Sequence, residues 1–239
     1  VKLTVVGCSP AWPNPGGAQS GYLVEGAGRL LLDCGPGVLT RLRSREPWPQ
    51  IDAIALTHFH LDHWGDIVSW VFGASFGAGK DAKQPELWAP PGGRATLESF
   101  GERLGFAEQL DHAFVVREYA DGIPFQAGGF TVTPRRLKHY DEVTFGLRVT
   151  DGASTVAYSG DTAPTPNLAE LARDADLFLC EATLAQAEPA DDRGHLDAAE
   201  AIAAFEASGA KRLIVIHRPD ELPLDAGVER AFDGLELEV

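Results

Sequence analysis

The sequence predicts a layered α/β fold, two mixed β-sheets packed face to face with helices on both outer faces (an αββα sandwich). Three observations lead there. Short strand-like runs recur along the whole chain, the early ones follow one another like hairpins, and the later ones alternate with helix-like runs. A length of 239 residues with 44% apolar content is enough to build one large core.

In chain order, β-branched and apolar residues bounded by Gly, Pro or charge mark strands at 3–6, 21–25 and 29–33, the last running into Leu32-Asp33-Cys34-Gly35-Pro36-Gly37. Apolar positions at helical spacing then cover 38–44, before an apolar strand at 53–56. A helix at 63–71, a strand at 86–89 and a helix at 94–104 follow. The runs 113–118, 130–136, 145–150 and 155–158 read as successive strands. Helix 166–173, strand 177–181, helix 197–207 with Asp197 as N-cap, strand 212–216, helix 224–232 and strand 235–239 complete the order. No long Pro/Ser/Gly linker divides the chain, so a single domain over 1–239 is expected. The polar, glycine-containing stretch 76–85 reads either as an active-site lid or as an ordinary surface loop.

Charge and composition narrow the partners. A formal net charge of −15 argues against a broad nucleic-acid surface, which needs many phosphate-neutralising Lys and Arg, and favours a small substrate. A local rim of Arg135, Arg136 and Lys138 has the chemistry to hold one phosphate. No apolar run approaches the roughly 20 residues of a membrane helix. Cys8, Cys34 and Cys180, odd in number and each beside an apolar run, read as free thiols in a reducing compartment, the cytoplasm. The first residues lack the basic, apolar, small-residue succession of a signal peptide.

Metal chemistry concentrates in His58-Phe59-His60-Leu61-Asp62-His63, which directly follows an apolar strand. Imidazole suits zinc, and two His one residue apart on an extended segment point the same way, so His58 and His60 pair on one ion. The chain then turns, and Asp62 and His63 face a second ion. His139, Asp161 in Ser159-Gly160-Asp161-Thr162, and His217 each follow a strand further along the chain. Taken singly, each also fits an ordinary surface or core histidine, or a turn aspartate. His112 has no comparable setting and is left out of the site.

In this order these segments resemble the signature of the metallo-β-lactamase superfamily, an αββα sandwich with its metal site at one edge of the sheets. The resemblance spans nearly the whole chain. It implies one ion held by His58, His60 and His139, a second by Asp62, His63 and His217, and Asp161 shared between them. Two divalent ions about 3.5–4 Å apart would activate the water between them. Zn²⁺ is the expected ion, and Mn²⁺ and Fe²⁺ suit similar donors. Superfamily members are often homodimers, so Trp12, Trp48, Trp64 and Trp70 offer an interface, a substrate wall or core packing.

The reaction depends on further residues. His60 stands where diiron redox members typically have Glu, and Asp161 is present where true β-lactamases usually lack it. Glu181, closing a strand, and Gly194-His195-Leu196, opening a helix, are similar to a pair in the tRNA 3′-processing endonuclease and phosphodiesterase branch, where the His contacts the scissile phosphate and the acid orients it. That resemblance gives Glu181 and His195 the general-acid role and leaves Asp62 to accept a proton from water. The long tRNA-clamping insertion of the processing enzymes has no room between His63 and His139. The expectation is therefore a binuclear metal-dependent phosphodiesterase for small or cyclic phosphodiesters. Hydrolysis of a carboxylic ester, lactone or thioester, tRNA 3′ processing, and a metal-binding scaffold without turnover are the alternatives.

Overall fold

The computed structural model of the chain describes residues 1–189 and 193–239, and its layers are those expected. One sheet runs in the order β13 (Glu236–Glu238), β1 (Lys2–Gly7), β2 (Gly21–Glu25), β3 (Arg29–Leu32), β4 (Ala53–Ala55), β5 (Glu86–Ala89) and β6 (Val115–Glu118). The other runs β12 (Leu213–Ile216), β11 (Leu177–Glu181), β10 (Thr155–Tyr158), β9 (Phe145–Thr150), β8 (Phe130–Arg136) and β7 (Phe125–Ala127). Both are mixed: β1 to β3 and β7 to β10 pair antiparallel, whereas β3 to β6 and β10 to β12 pair parallel.

Period-two alternation explains the layering. Leu3, Val5, Leu30 and Leu32 from one sheet meet Val132, Leu147, Val149 and Ile214 from the other in a shared core. The residues between them face outward. Leu31 and Ile54 pack on Val38 and Leu42 of α1 (Val38–Arg43), Trp70 and Val71 of α3 (Asp66–Phe76) and Leu97 of α4 (Gly93–Leu104). Phe178, Cys180 and Val215 pack on Leu168 of α6 (Pro166–Leu171) and Ala201 of α7 (Ala198–Ser208). Each fully buried Leu or Val contributes about 1.5–3 kcal/mol, so three apolar interfaces hold four layers together. Asp197 caps α7 as expected: it accepts from Glu200 N at 2.9 Å while the Glu200 carboxylate accepts from Asp197 N at 3.0 Å.

Several local expectations are corrected. The helix after the histidine run starts at Leu61 rather than His63 and is split at Gly65 into α2 (Leu61–Trp64) and α3. Ala113 ends α5 (Ala107–Ala113), a helix the strand-like 113–118 run concealed, and β6 begins only at Val115. The short strand β7 is an addition, paired to β8 across Gly128-Gly129. No helix forms over 224–232. Its apolar spacing is helical, but Pro223 precedes it and Gly227 has φ 104°, and the backbone is drawn instead to the edge of β12, where Val215 N donates to Glu229 O and Ala231 N to Val215 O, both at 2.8 Å. Trp48, Trp64 and Trp70 are core residues, and Trp12 alone of the four is exposed.

Of the stretch 76–85, Phe76 closes α3 and the rest is a loop but not a lid. It leads into the start of β5, which lies parallel to β4, whereas the metal motif leaves the opposite end of β4. Gly79 is pressed on the Trp48 indole, where a Cβ would come within 2.2 Å of the ring. Gly79→Ala is therefore expected to lower stability by about 1–3 kcal/mol through overpacking, with the specific activity of folded protein unchanged. Chemical denaturation and an activity assay check both halves. Among the described residues, no helix is long and apolar enough to cross a membrane.

Candidate metal centre

Every predicted ligand lies in a segment that leaves a strand at one edge of the sandwich, the carboxyl ends of parallel strands β4, β10 and β12 among them, where α/β folds gather ligand sites. His58 and His60 follow β4, while Asp62 and His63 occupy the first turn of α2. His139 follows β8, Asp161 follows β10, and His217 follows β12 with φ 53°. Non-glycine residues hold this left-handed conformation only where the surroundings determine it.

The side chains converge in two groups, His58, His60, His139 and Asp161, and Asp62, His63, Asp161 and His217, with donor atoms in each within 4.8 Å of one another. Asp161 belongs to both. Its Oδ2 lies 3.9 Å from His58 Nε2 and 3.8 Å from His139 Nε2, while its Oδ1 lies 3.3 Å from His63 Nε2 and 3.6 Å from His217 Nε2. Asp62 Oδ2 closes the second group at 3.0 Å from His217 Nε2 and 3.4 Å from His63 Nε2. Ligands on a tetrahedral zinc at about 2.0–2.1 Å stand about 3.3 Å apart, which these spacings approach.

Unsatisfied polar atoms show that the donors fit cations. His58 Nε2, His63 Nε2 and Asp161 Oδ1 are buried without a hydrogen-bond partner among the described residues, a cost that folding tolerates when a ligand takes the lone pairs. The far nitrogens are all held. His58 Nδ1 lies 3.0 Å from Thr57 Oγ1, His63 Nδ1 2.7 Å from Asp33 Oδ2, His139 Nδ1 2.7 Å from Gly194 O, and His217 Nδ1 2.8 Å from Thr183 Oγ1. With Nδ1 engaged in each case, Nε2 is the nitrogen aimed into the cluster, where a cation would take the lone pair in place of any proton. His60 is the exception: it turns Nδ1 inward, 2.8 Å from His139 Nε2.

Electrostatics follows the same geometry. Burial and the neighbouring His63 push His58 well below the usual imidazole range. Burial acts the same way on His63 but is outweighed by Asp161, Asp62 and Asp33, which hold it well above that range. Burial would raise the Asp62 carboxyl, yet His63 and His217 keep it well below normal, and imidazoles do the same for Asp161. Both acids are thus held as carboxylates, the form that binds cations.

Glu181 and His195 also come together. His195 Nδ1 lies 2.8 Å from Glu181 Oε1, and with His217 the pair forms a third group of possible donors. Glu181 is nevertheless spent: Oε1 also accepts from Thr162 N at 3.0 Å, and Oε2 accepts from Thr183 N at 3.0 Å and Thr183 Oγ1 at 2.9 Å. Its lone pairs are engaged where that of Asp161 Oδ1 has no partner among the described residues, which leaves Asp161 the freer of the two to hold a cation. Burial disfavours charge on His195, but Glu181 overcomes it and the imidazole is pushed up to about 9. The expected basic rim is largely engaged elsewhere: Arg135 pairs with Glu170 at 2.8 Å, and Arg136 donates to Glu142 O and lies over the Phe145 ring.

Sequence reasoning missed the support beneath the ligands. Asp33, fully buried with φ 58°, accepts from Thr57 N at 2.8 Å, Thr57 Oγ1 at 2.8 Å, His63 Nδ1 at 2.7 Å and Tyr158 Oη at 2.6 Å. An acid ending the apolar run 30–32 was the available signal. Thr183 links Glu181 to His217 in the same way, and Tyr140 was also overlooked.

Five His and two Asp in two joined groups at the edge of an αββα sandwich define a metal-dependent hydrolase. The chain belongs to the β-lactamase superfamily: a profile described as "Beta-lactamase superfamily domain" matches residues 28–218. It is 32% identical to the "Probable metallo-hydrolase YhfI" of Bacillus subtilis over 223 residues, covering 92% of this chain and 87% of that one. The crystal structure of that YhfI protein superposes with a TM-score of 0.83 at 28% identity over 99% of both chains. A Ribonuclease Z of Mycobacterium marinum is 34% identical over 73% of this chain and 68% of its own length. The human tRNase Z short form has a TM-score of 0.78 at 25% identity, covering 100% of this chain and 99% of that one.

Proposed function

We propose that the chain is a phosphodiesterase acting on small or cyclic phosphodiesters, with His58, His60, His139 and Asp161 holding one divalent cation and Asp62, His63, Asp161 and His217 a second. Zn²⁺ suits the His-rich donor set, and Mn²⁺ or Fe²⁺ are the alternatives. The observation that carries the reading is His195, turned by Glu181 at 2.8 Å so that Nδ1 is occupied and Nε2 is left for substrate. Bound in these groups, two cations would acidify water and neutralise charge on the scissile group.

The chain's own residues supply the rest. His195, protonated at neutral pH, donates from Nε2 to the leaving oxygen, and Glu181 holds the ring and its charge. Arg193 fixes the same loop by donating from Nε to His195 O at 2.8 Å, and it pairs with Glu200. Asp62, kept ionised by His63 and His217, fits a ligand better than the proton acceptor the resemblance implied. The tRNA-processing reading draws support from the Ribonuclease Z relatives. Against it stand the net charge of −15 and the interval between His63 and His139, filled by α3, β5, α4, α5, β6, β7 and β8.

Purified protein with added Zn²⁺ or Mn²⁺ is expected to turn over bis(p-nitrophenyl) phosphate and a cyclic nucleotide. His195→Ala should cut cyclic-nucleotide turnover by about 10²-fold or more, because an alkoxide needs a proton. The loss should be smaller for p-nitrophenolate, which leaves without one. No turnover of any phosphodiester, or equal losses on both substrates, would sink the reading. A carboxylic ester or thioester cleaved faster and indifferent to His195→Ala would replace it.

A further inference from the structure

Tyr140 follows His139 at the first corner of a two-residue turn, in which His139 and Glu142 form a bridge and Glu142 N donates to His139 O at 2.9 Å. Its φ is 47°, a left-handed corner where such turns favour Gly, Asn or Asp. A bulky residue persists there when its surroundings determine it and something is gained from the side chain. The surroundings are specific. The phenol ring stands 4.9 Å from the His139 ring and 5.8 Å from that of His195, at 81° to the latter. Gly194 backs it: a Cβ at 194 would lie 2.1 Å from Tyr140 Cε2. The same glycine gives its carbonyl to His139 Nδ1.

Packing alone does not account for this arrangement, because Tyr140 remains 49% exposed. It covers the fully buried His139, and His195 beside it keeps a 15% exposed side chain. The result is an aromatic wall at the mouth of the centre, backed by a glycine and open toward whatever approaches His195.

We propose that Tyr140 is a specificity-determining residue whose ring stacks on a planar aromatic group, a nucleobase or an aryl ring, carried by the phosphoester that His195 faces. The inference rests on the phosphodiesterase reading for the phosphate and adds the chemistry of the organic half. Ring-on-ring stacking tolerates any base because every base has a π-face, so the hydroxyl is dispensable.

Isothermal titration of the Zn²⁺-loaded protein with phenylphosphonate and methylphosphonate tests it, since the two share a headgroup and differ in the ring. The wild type is expected to prefer phenylphosphonate by about tenfold or more. Tyr140→Gly, which suits the left-handed corner and so keeps the turn, should lose that preference while its methylphosphonate affinity and zinc content stay unchanged. Tyr140→Phe should keep the preference. The proposal is overturned by a wild type without preference, by a Gly variant that retains it or loses zinc, or by a Phe variant that lacks it. Phosphodiester turnover without a ring preference strikes Tyr140 alone, whereas a ring preference without turnover strikes only the reaction.

Discussion

Asp161→Ala is expected to reduce turnover by at least about 10³-fold, the upper scale of removing one charge-stabilising group, and to lower bound metal from two ions per chain to one or none. Its carboxylate is 2% exposed and faces three imidazoles with one oxygen and two with the other, counting His195 at 3.9 Å. Among the described residues, no other side chain belongs to both ligand groups. Asp161→Asn keeps the volume and removes the charge, so a matching loss in that variant assigns the effect to the carboxylate rather than to a cavity. Elemental analysis of dialysed protein, alongside kcat, checks it; two ions and activity within tenfold of wild type in either variant would refute the shared-ligand assignment.

Asp33→Ala should lower stability heavily although Asp33 would touch no metal. Four donors converge on a fully buried carboxylate, and removing the acceptor leaves Thr57, Tyr158 and His63 without it. Stranded buried donors and a broken buried pair cost about 3–5 kcal/mol, which for a chain of this size lowers Tm by about 6–20 °C. Asp33→Asn is gentler to the fold but offers a weaker acceptor to His63 Nδ1, loosening the tautomer that aims Nε2 inward. Zn²⁺ affinity should fall about 10–100-fold. Calorimetry and a competitive chelator titration separate these effects. Unchanged Zn²⁺ affinity in the Asn variant would show that His63 does not depend on Asp33.

The elements most legible in sequence were those whose burial pattern is written in one local run. Strands 130–136 and 145–150 alternate apolar with polar or small residues, 21–25 is an apolar run bounded by Gly21 and Glu25, and each coincides with its observed span. The 224–232 segment failed because helical spacing of Leu224 and Val228 also serves a chain lying along a sheet edge, and only the partner strand decides between them. The candidate ligands were legible for the opposite reason: polar residues at strand ends serve no core. Asp33 and Thr183 escaped because their role is defined by what they hold 24 to 34 positions away, and Tyr140 because its corner conformation is invisible until the turn is seen.

Anomalous diffraction at the zinc edge, from crystals grown with Zn²⁺, tests the metal assignment most directly. Two peaks per chain are predicted, one among His58, His60, His139 and Asp161 and one among Asp62, His63, Asp161 and His217. A single peak, or a peak among Glu181, His195 and His217, would contradict the account, because an ion there would break the Glu181–His195 contact on which the proposed proton delivery rests.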